Sequence, residues 1–129
     1  MTTAIVCTAL LAVLMWGLSI RTSKARGAAG EGNQMPTRTD DPLFVAMRAH
    51  GNATENIPML AVLFLLIGSR DPAAWMEVLM VVATVARFGH AFGVISAADM
   101  SKENKARFIS AVVTALAGLG LAGAALVVA

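Results

Sequence analysis

The sequence has no tyrosine, one cysteine and two histidines among 129 residues. Charge is equally scarce: 14% of residues are charged, against about 25% in a soluble domain. So few charges cannot cover a water-facing surface, which excludes an ordinary soluble fold. The lone Cys7 excludes an intrachain disulfide, and its place inside an apolar run reads as a small apolar filler. Two histidines and one cysteine do not form a metal set, so no metal is implied. The ten Lys and Arg make no continuous stripe, so a net charge of +2 carries no nucleic-acid signal. No basic residue precedes the first apolar run, and Arg21 follows it. A cleavable signal peptide has the opposite order, so this run is expected to persist as a first helix.

What the chain has instead is apolar length: 57% of its residues are hydrophobic. A membrane helix needs roughly 20 mostly apolar residues to cross about 30 Å of hydrocarbon. Four runs qualify, at about residues 3–20, 43–68, 73–95 and 106–129. The expected fold is an all-α integral membrane protein, a bundle of four transmembrane helices forming one domain over residues 1–129.

The connections differ in character. Loop one, residues 21–42, carries Gly27, Gly30, Gly32, Pro36 and Pro42, which argues against a continuous helix there. Its charges are Arg21, Lys24, Arg26 and Arg38 against Glu31, Asp40 and Asp41. Loop two is only Ser69-Arg70-Asp71-Pro72, which predicts an antiparallel hairpin of the second and third helices. Loop three, residues 96–105, carries Lys102 and Lys105 near Arg107. Loops one and three lie on one side of four antiparallel spans. With Arg107 they hold seven of the ten basic residues. The bias of positive charge toward the cytoplasm places both loops there, with the termini outside. Short loops and the lack of a sorting signal point to a bacterial inner membrane. The fourth run is rich in small residues, among them Gly118, Gly120 and Gly123. Such residues let helices approach closely, either within the bundle or between copies.

The informative polar residues open the second run. Arg48, Asn52 and Glu55 recur at i, i+4 and i+7, on one stripe of a helix. A charge at the centre of a membrane helix costs about 2.5–3.5 kcal/mol to expose to lipid, so the stripe must face protein or a watery cavity. His50 is rotated by about 200° from Arg48 and faces a different neighbour. Pro58 has no N–H, so the carbonyl of Thr54 is expected to lose its helical partner and the helix to bend. In the third run Arg87 and His90 are i, i+3 neighbours on one face. Arg48, Asn52, Glu55, Arg87 and His90 all fall in the leaflet of loops one and three, where Arg21, Lys105 and Arg107 also lie. Several half-buried cations with one carboxylate and one carboxamide suit a small anionic ligand. Arginine grips carboxylates with paired hydrogen bonds, and a cation beside a thiol favours the nucleophilic thiolate. The plainer alternative is a structural ion pair between Arg48 and Glu55, with the terminal cations reaching to headgroups.

The stretches Arg38-Thr39-Asp40-Asp41 and Arg48-Ala49-His50-Gly51-Asn52-Ala53-Thr54-Glu55-Asn56-Ile57-Pro58 closely resemble the signature of the membrane-associated proteins in eicosanoid and glutathione metabolism, the MAPEG family. The likeness is greatest to the microsomal glutathione transferase branch. Ala86-Arg87 with His90, and Asn104-Lys105-Ala106, resemble its third-helix motif and its entry to the fourth helix. The resemblance implies a homotrimer that binds glutathione as co-substrate at the subunit interface and takes lipophilic electrophiles or lipid hydroperoxides from the bilayer. It implies Arg48, Asn52, Glu55 and Arg87 as glutathione contacts, with His50 and Arg21 beside them. It also implies a thiolate-stabilising cation on the fourth helix, at Lys105 or Arg107. The chain departs from the family in lacking its third-helix tyrosines: Phe88, Gly89, Phe92 and Val94 fill that region. Lysine is also a point charge and not the planar fork of arginine. The implied activity is a glutathione-dependent membrane transferase, with peroxidase activity beside it. The alternative is a non-catalytic member that binds lipid or a partner protein. A small four-helix exporter is disfavoured, because such proteins carry an essential glutamate in the first helix and residues 3–20 hold no acidic residue.

Overall fold

A computed structural model of the chain describes residues 1–30 and 35–129. Gly32 and Glu31, counted with loop one above, lie outside the described residues. Four helices account for nearly all of the rest: α1 (Thr2–Ala28), α2 (Pro42–Gly68), α3 (Ala74–Ile95) and α4 (Lys105–Val128). All four are long and apolar enough to cross a membrane. No strand occurs among the described residues.

Local chemistry sets several helix ends. Asp41 caps α2, its carboxylate accepting from the Leu43 amide at 2.7 Å, and Pro42 takes the first helical position, where a missing N–H costs nothing. Asn104 caps α4 by accepting from the Arg107 amide at 3.0 Å. The first helix differs from expectation by running to Ala28 and not ending near residue 20. The stretch Arg21–Ala28 contains no proline, and its Lys, Ala and Arg are good helix formers. Gly27 therefore falls in the last turn and does not break the helix before it. Thr22 anchors the extension, donating to Leu18 O at 3.0 Å within α1 and to Ala46 O at 3.1 Å on α2. Helix α2 stays helical through Pro58 from one end to the other.

The α2 and α3 helices joined by loop two do touch, but they are not the tightest pair. The closest partnerships are α1 with α2 and α3 with α4, and the α2–α3 contact is lighter. Small side chains explain this. A Cβ on Gly68 of α2 would meet Ala4 Cβ of α1 at 2.5 Å, and one on Gly93 of α3 would lie 2.8 Å from the Arg107 backbone nitrogen of α4. The two pairs close over a core that includes Leu11, Phe64, Ile67, Met80 and Leu121. Cys7 is buried in that core as a free thiol, in keeping with a filler role. The buried hydroxyls of Thr84 and Thr114 donate to carbonyls four residues back, so they cost no unsatisfied polar group. Of the α4 glycines, Gly120 packs on Leu79, while Gly123 has no neighbour within 4 Å.

The outer surface is apolar. Val13, Trp16, Phe92, Phe108, Leu119 and Leu126 are all exposed, the reverse of a soluble protein. Intrahelical bonding satisfies the backbone beneath them, as a bilayer demands. Gly93→Ala should therefore force α3 away from α4 and lower stability by about 1–3 kcal/mol. Gly123→Ala, in open space inside α4, should hold or raise it by up to about 1 kcal/mol. Thermal unfolding in detergent checks both; equal midpoints for the two variants would contradict the close α3–α4 approach.

Candidate functional site

The polar residues gather at the end of the bundle formed by the C-termini of α1 and α3 and the N-termini of α2 and α4. At the centre is Arg87, only 2% exposed and the largest of the fully buried side chains. A buried guanidinium needs a partner. Its Nη2 donates to Asn52 Oδ1 at 2.5 Å and reaches Asn52 O at 3.4 Å. The Glu55 carboxylate adds a Coulombic attraction. Arg87 Nε has no partner. Asn52 is thereby turned inward to α3, while Arg48 and Glu55, flanking it on the same stripe, remain exposed.

The simple ion pair between Arg48 and Glu55 does not form. Among the described residues the one ion pair is Arg38–Asp40 in loop one, at 2.7 Å and solvent-exposed. Within the stripe Asn52 bonds to Arg87, while the Arg48 and Glu55 side chains are exposed without an ion-pair partner among the described residues.

Two cavities flank the buried arginine. The smaller, about 310 Å³, is lined by Thr39, Phe44, Arg48, Asn52, His90, Val94, Met100 and Arg107. The larger, about 630 Å³, is lined by His90, Glu103, Asn104, Lys105, Arg107, Phe108, Ile109 and Ala111. His90 and Arg107 belong to both and form the wall between them. The fold thus brings together Arg48, Asn52 and Arg107 in one cavity, and Lys105 and Arg107 in the other. Arg87 stands behind them and lines neither. Glu55, His50 and Arg21 also line neither: Glu55 and Arg21 are exposed, and His50 is half-buried.

His90 is the residue that the reading of the sequence set beside Arg87 but gave no role. It is 6% exposed, and its Nδ1 has no hydrogen-bond partner. Its i, i+3 spacing from Arg87 was the signal. Where the tyrosines are missing, Val94 is buried and lines the smaller cavity, Gly89 lies against Ser110, and Phe88 and Phe92 face outward.

The fold and this cluster define a multi-pass four-helix membrane protein with a polar site at one end of its bundle. The chain belongs to the MAPEG family, whose model matches residues 4–127. That membership makes it a glutathione- or eicosanoid-related membrane protein and points to glutathione and membrane lipid as its partners. No curated protein matches the chain.

Because the buried Nδ1 of His90 makes no bond, His90→Leu should change stability by less than about 1 kcal/mol. Thermal unfolding in detergent measures it. A loss above about 2 kcal/mol would mean that the ring is held by a bond the geometry does not contain.

Proposed function

We propose that the protein is a glutathione-dependent transferase of lipophilic electrophiles, with peroxidase activity toward lipid hydroperoxides, acting as a homotrimer. The observation that carries this reading is the division of its polar residues. Arg48, exposed at the rim of the smaller cavity, and Glu55, exposed on the same stripe of α2, present a cation and a carboxylate, while Lys105 and Arg107 stand on α4 beside cavities that His90 walls. Glutathione is a zwitterion with two carboxylates and one ammonium, so it needs cations and a carboxylate spread over its length. A second copy of the chain, packed through the exposed apolar helix faces, would bring the α2 face of one subunit to the α4 cavity of the next.

In this assignment Arg48 binds a carboxylate of glutathione and Glu55 accepts from its ammonium. Asn52 bonds the peptide backbone of the ligand, and Arg87 acts through Asn52 by holding it. His50 and Arg21 belong to the surrounding shell. Lys105 or Arg107 stabilises the thiolate after the thiol proton leaves to solvent. The thiolate sulfur then bonds to the electrophilic carbon as the leaving group departs with its electron pair. With a hydroperoxide the sulfur takes the terminal oxygen and the O–O bond breaks, and after uptake of a proton from solvent the products are an alcohol and glutathione sulfenic acid; a second glutathione then converts the sulfenic acid to disulfide and water. Phe108 and Ile109, exposed beside Lys105 and Arg107, give an apolar substrate a route from the bilayer. The positive charge of loops one and three supports a cytoplasmic position for this end, and the short loops support a bacterial inner membrane.

The alternative, a non-catalytic lipid- or partner-binding protein, draws on one feature: phenylalanines and valine stand where hydroxyls would hold the ligand. Calorimetric titration of the detergent-solubilised protein with glutathione separates the two. The expected result is micromolar-to-millimolar affinity that weakens at least about tenfold in Arg48→Ala and in Glu55→Ala, with the trimer intact. Conjugation of a chlorodinitrobenzene-type acceptor should accompany it. Wild-type protein that binds no glutathione would remove this reading in favour of the alternative.

A further inference from the structure

Arg107 stands in the wall between two cavities, and its direction decides which of them receives its charge. That direction is set from loop three. Its Nη1 donates to Met100 O at 3.3 Å and to Met100 Sδ at 3.4 Å, and its Nη2 donates to Lys102 O at 3.1 Å. The backbone of Arg107 is set separately, by the Asn104 side chain, which accepts from its amide and donates to Gly93 O at 3.1 Å. Loop three therefore aims the guanidinium, and α3 places the start of α4.

Loop three is itself stitched to loop one across 60 residues of sequence. Thr39 Oγ1 donates to Asp99 Oδ1 at 2.7 Å, and the Met100 amide donates to Thr39 O at 2.9 Å. The same Asp99 oxygen accepts from the Ser101 amide and hydroxyl, each at 2.8 Å. Thr39 is presented by a closed turn, with the Asp41 amide on Arg38 O at 3.2 Å and the Arg38–Asp40 pair across it. Every bond in this chain of contacts has a partner on a different segment or closes a turn. Thr39 and Met100 also line the smaller cavity, so the stitch roofs it. The hydrogen bond from Thr39 and those from Ser101 hold the Asp99 carboxyl well below its ordinary value, at about 2, which keeps it an acceptor throughout the neutral range.

We infer that Thr39 and Asp99 form a clasp whose purpose is to aim Arg107, with Asp99 its positioning residue. Asp99 does not touch a ligand. It fixes residues 99–101, whose Met100 carbonyl and thioether hold two of the guanidinium contacts. All three bonds to Asp99 end on one oxygen, Oδ1. An amide oxygen can take that place with weaker bonds, so an asparagine should keep part of the clasp. The clasp stands without the glutathione reading, and only its consequence for the thiol rests on that reading.

Phenylglyoxal labelling of arginines, mapped by mass spectrometry on the full-length solubilised protein, tests it. Arg70, exposed in loop two, is the internal reference, and buried Arg87 reports an intact bundle. In Asp99→Ala the labelling of Arg107 relative to Arg70 should rise about tenfold, as loss of hydrogen bonds to a charged acceptor allows. Arg87 should stay unlabelled. Asp99→Asn, which keeps an acceptor but loses the charge, should give a clearly smaller rise than Asp99→Ala. Thr39→Val, which removes the hydroxyl and spares the carbonyl bond, should give a smaller rise and covers the case in which Asp99→Ala fails to fold. Unchanged Arg107 labelling in Asp99→Ala or Thr39→Val with the bundle intact overturns the clasp, and so does an Asn variant as open as the Ala one. A second readout follows the thiolate absorbance of bound glutathione at fixed pH. Asp99→Ala should lower it severalfold while glutathione affinity changes little, a split that a general loss of structure does not produce. If wild-type protein binds no glutathione, the functional reading fails and the labelling still decides the clasp.

Discussion

A guanidinium buried in a membrane bundle is the constraint on which the rest of this structure depends. Arg87 is almost fully buried, with Thr84 and His90 one turn to either side of it on α3. Leaving it unpaired would be strongly unfavourable, so its contact with Asn52 fixes how α2 and α3 meet. That contact matters more because the two helices share little other packing. The bundle is held mainly by its α1–α2 and α3–α4 pairs, where small residues let backbones approach. This polar bond adds to the α1–α3 and α2–α4 contacts and the shared apolar core in setting how the two halves meet.

The same bond orders the site. With Asn52 bonded to α3, Arg48 and Glu55 flank it at the exposed edges of the same stripe, Arg48 also lining the smaller cavity. On the far side of Arg87, one turn along α3, His90 becomes the wall between two cavities, with Arg107 across from it. A chain with this arrangement offers charge in two directions at one end of the bundle, inward around the smaller cavity and outward from α2. That pattern suits a zwitterionic ligand shared between copies, which is the reading proposed here for a member of a glutathione- and eicosanoid-related family.

The four spans were legible because segregated apolar runs leave a chain of this composition no other way to satisfy its backbone. The stripe of Arg48, Asn52 and Glu55 was legible for a similar reason, since helical spacing alone puts them together. Choosing among their partners was not. Spacing admits an Arg48–Glu55 pair, but it does not reveal that Asn52 meets Arg87, 35 residues away, and the tertiary contact decides. The extension of α1 to Ala28 was hidden by a glycine that falls in the last turn and by an anchor, Thr22 to Ala46, that exists only once α1 lies on α2. The preference of α2 for α1 over α3 was hidden because a four-residue loop suggests a partner, whereas close contact depends on which small residues face each other. Glu55, His50 and Arg21 were placed at the correct end of the bundle by counting helical turns, yet counting cannot say that they line neither cavity of a single chain.

The central claim is that Arg87 and Asn52 act as one unit, and a double-mutant cycle tests it most directly. Asn52→Ala would be measured by unfolding in detergent, once in the wild-type background and once with Arg87→Met. The substitution should cost about 2 kcal/mol more when Arg87 is present, because only then does a buried charge lose its side-chain acceptor. Equal costs in the two backgrounds, within about 0.5 kcal/mol, would contradict it.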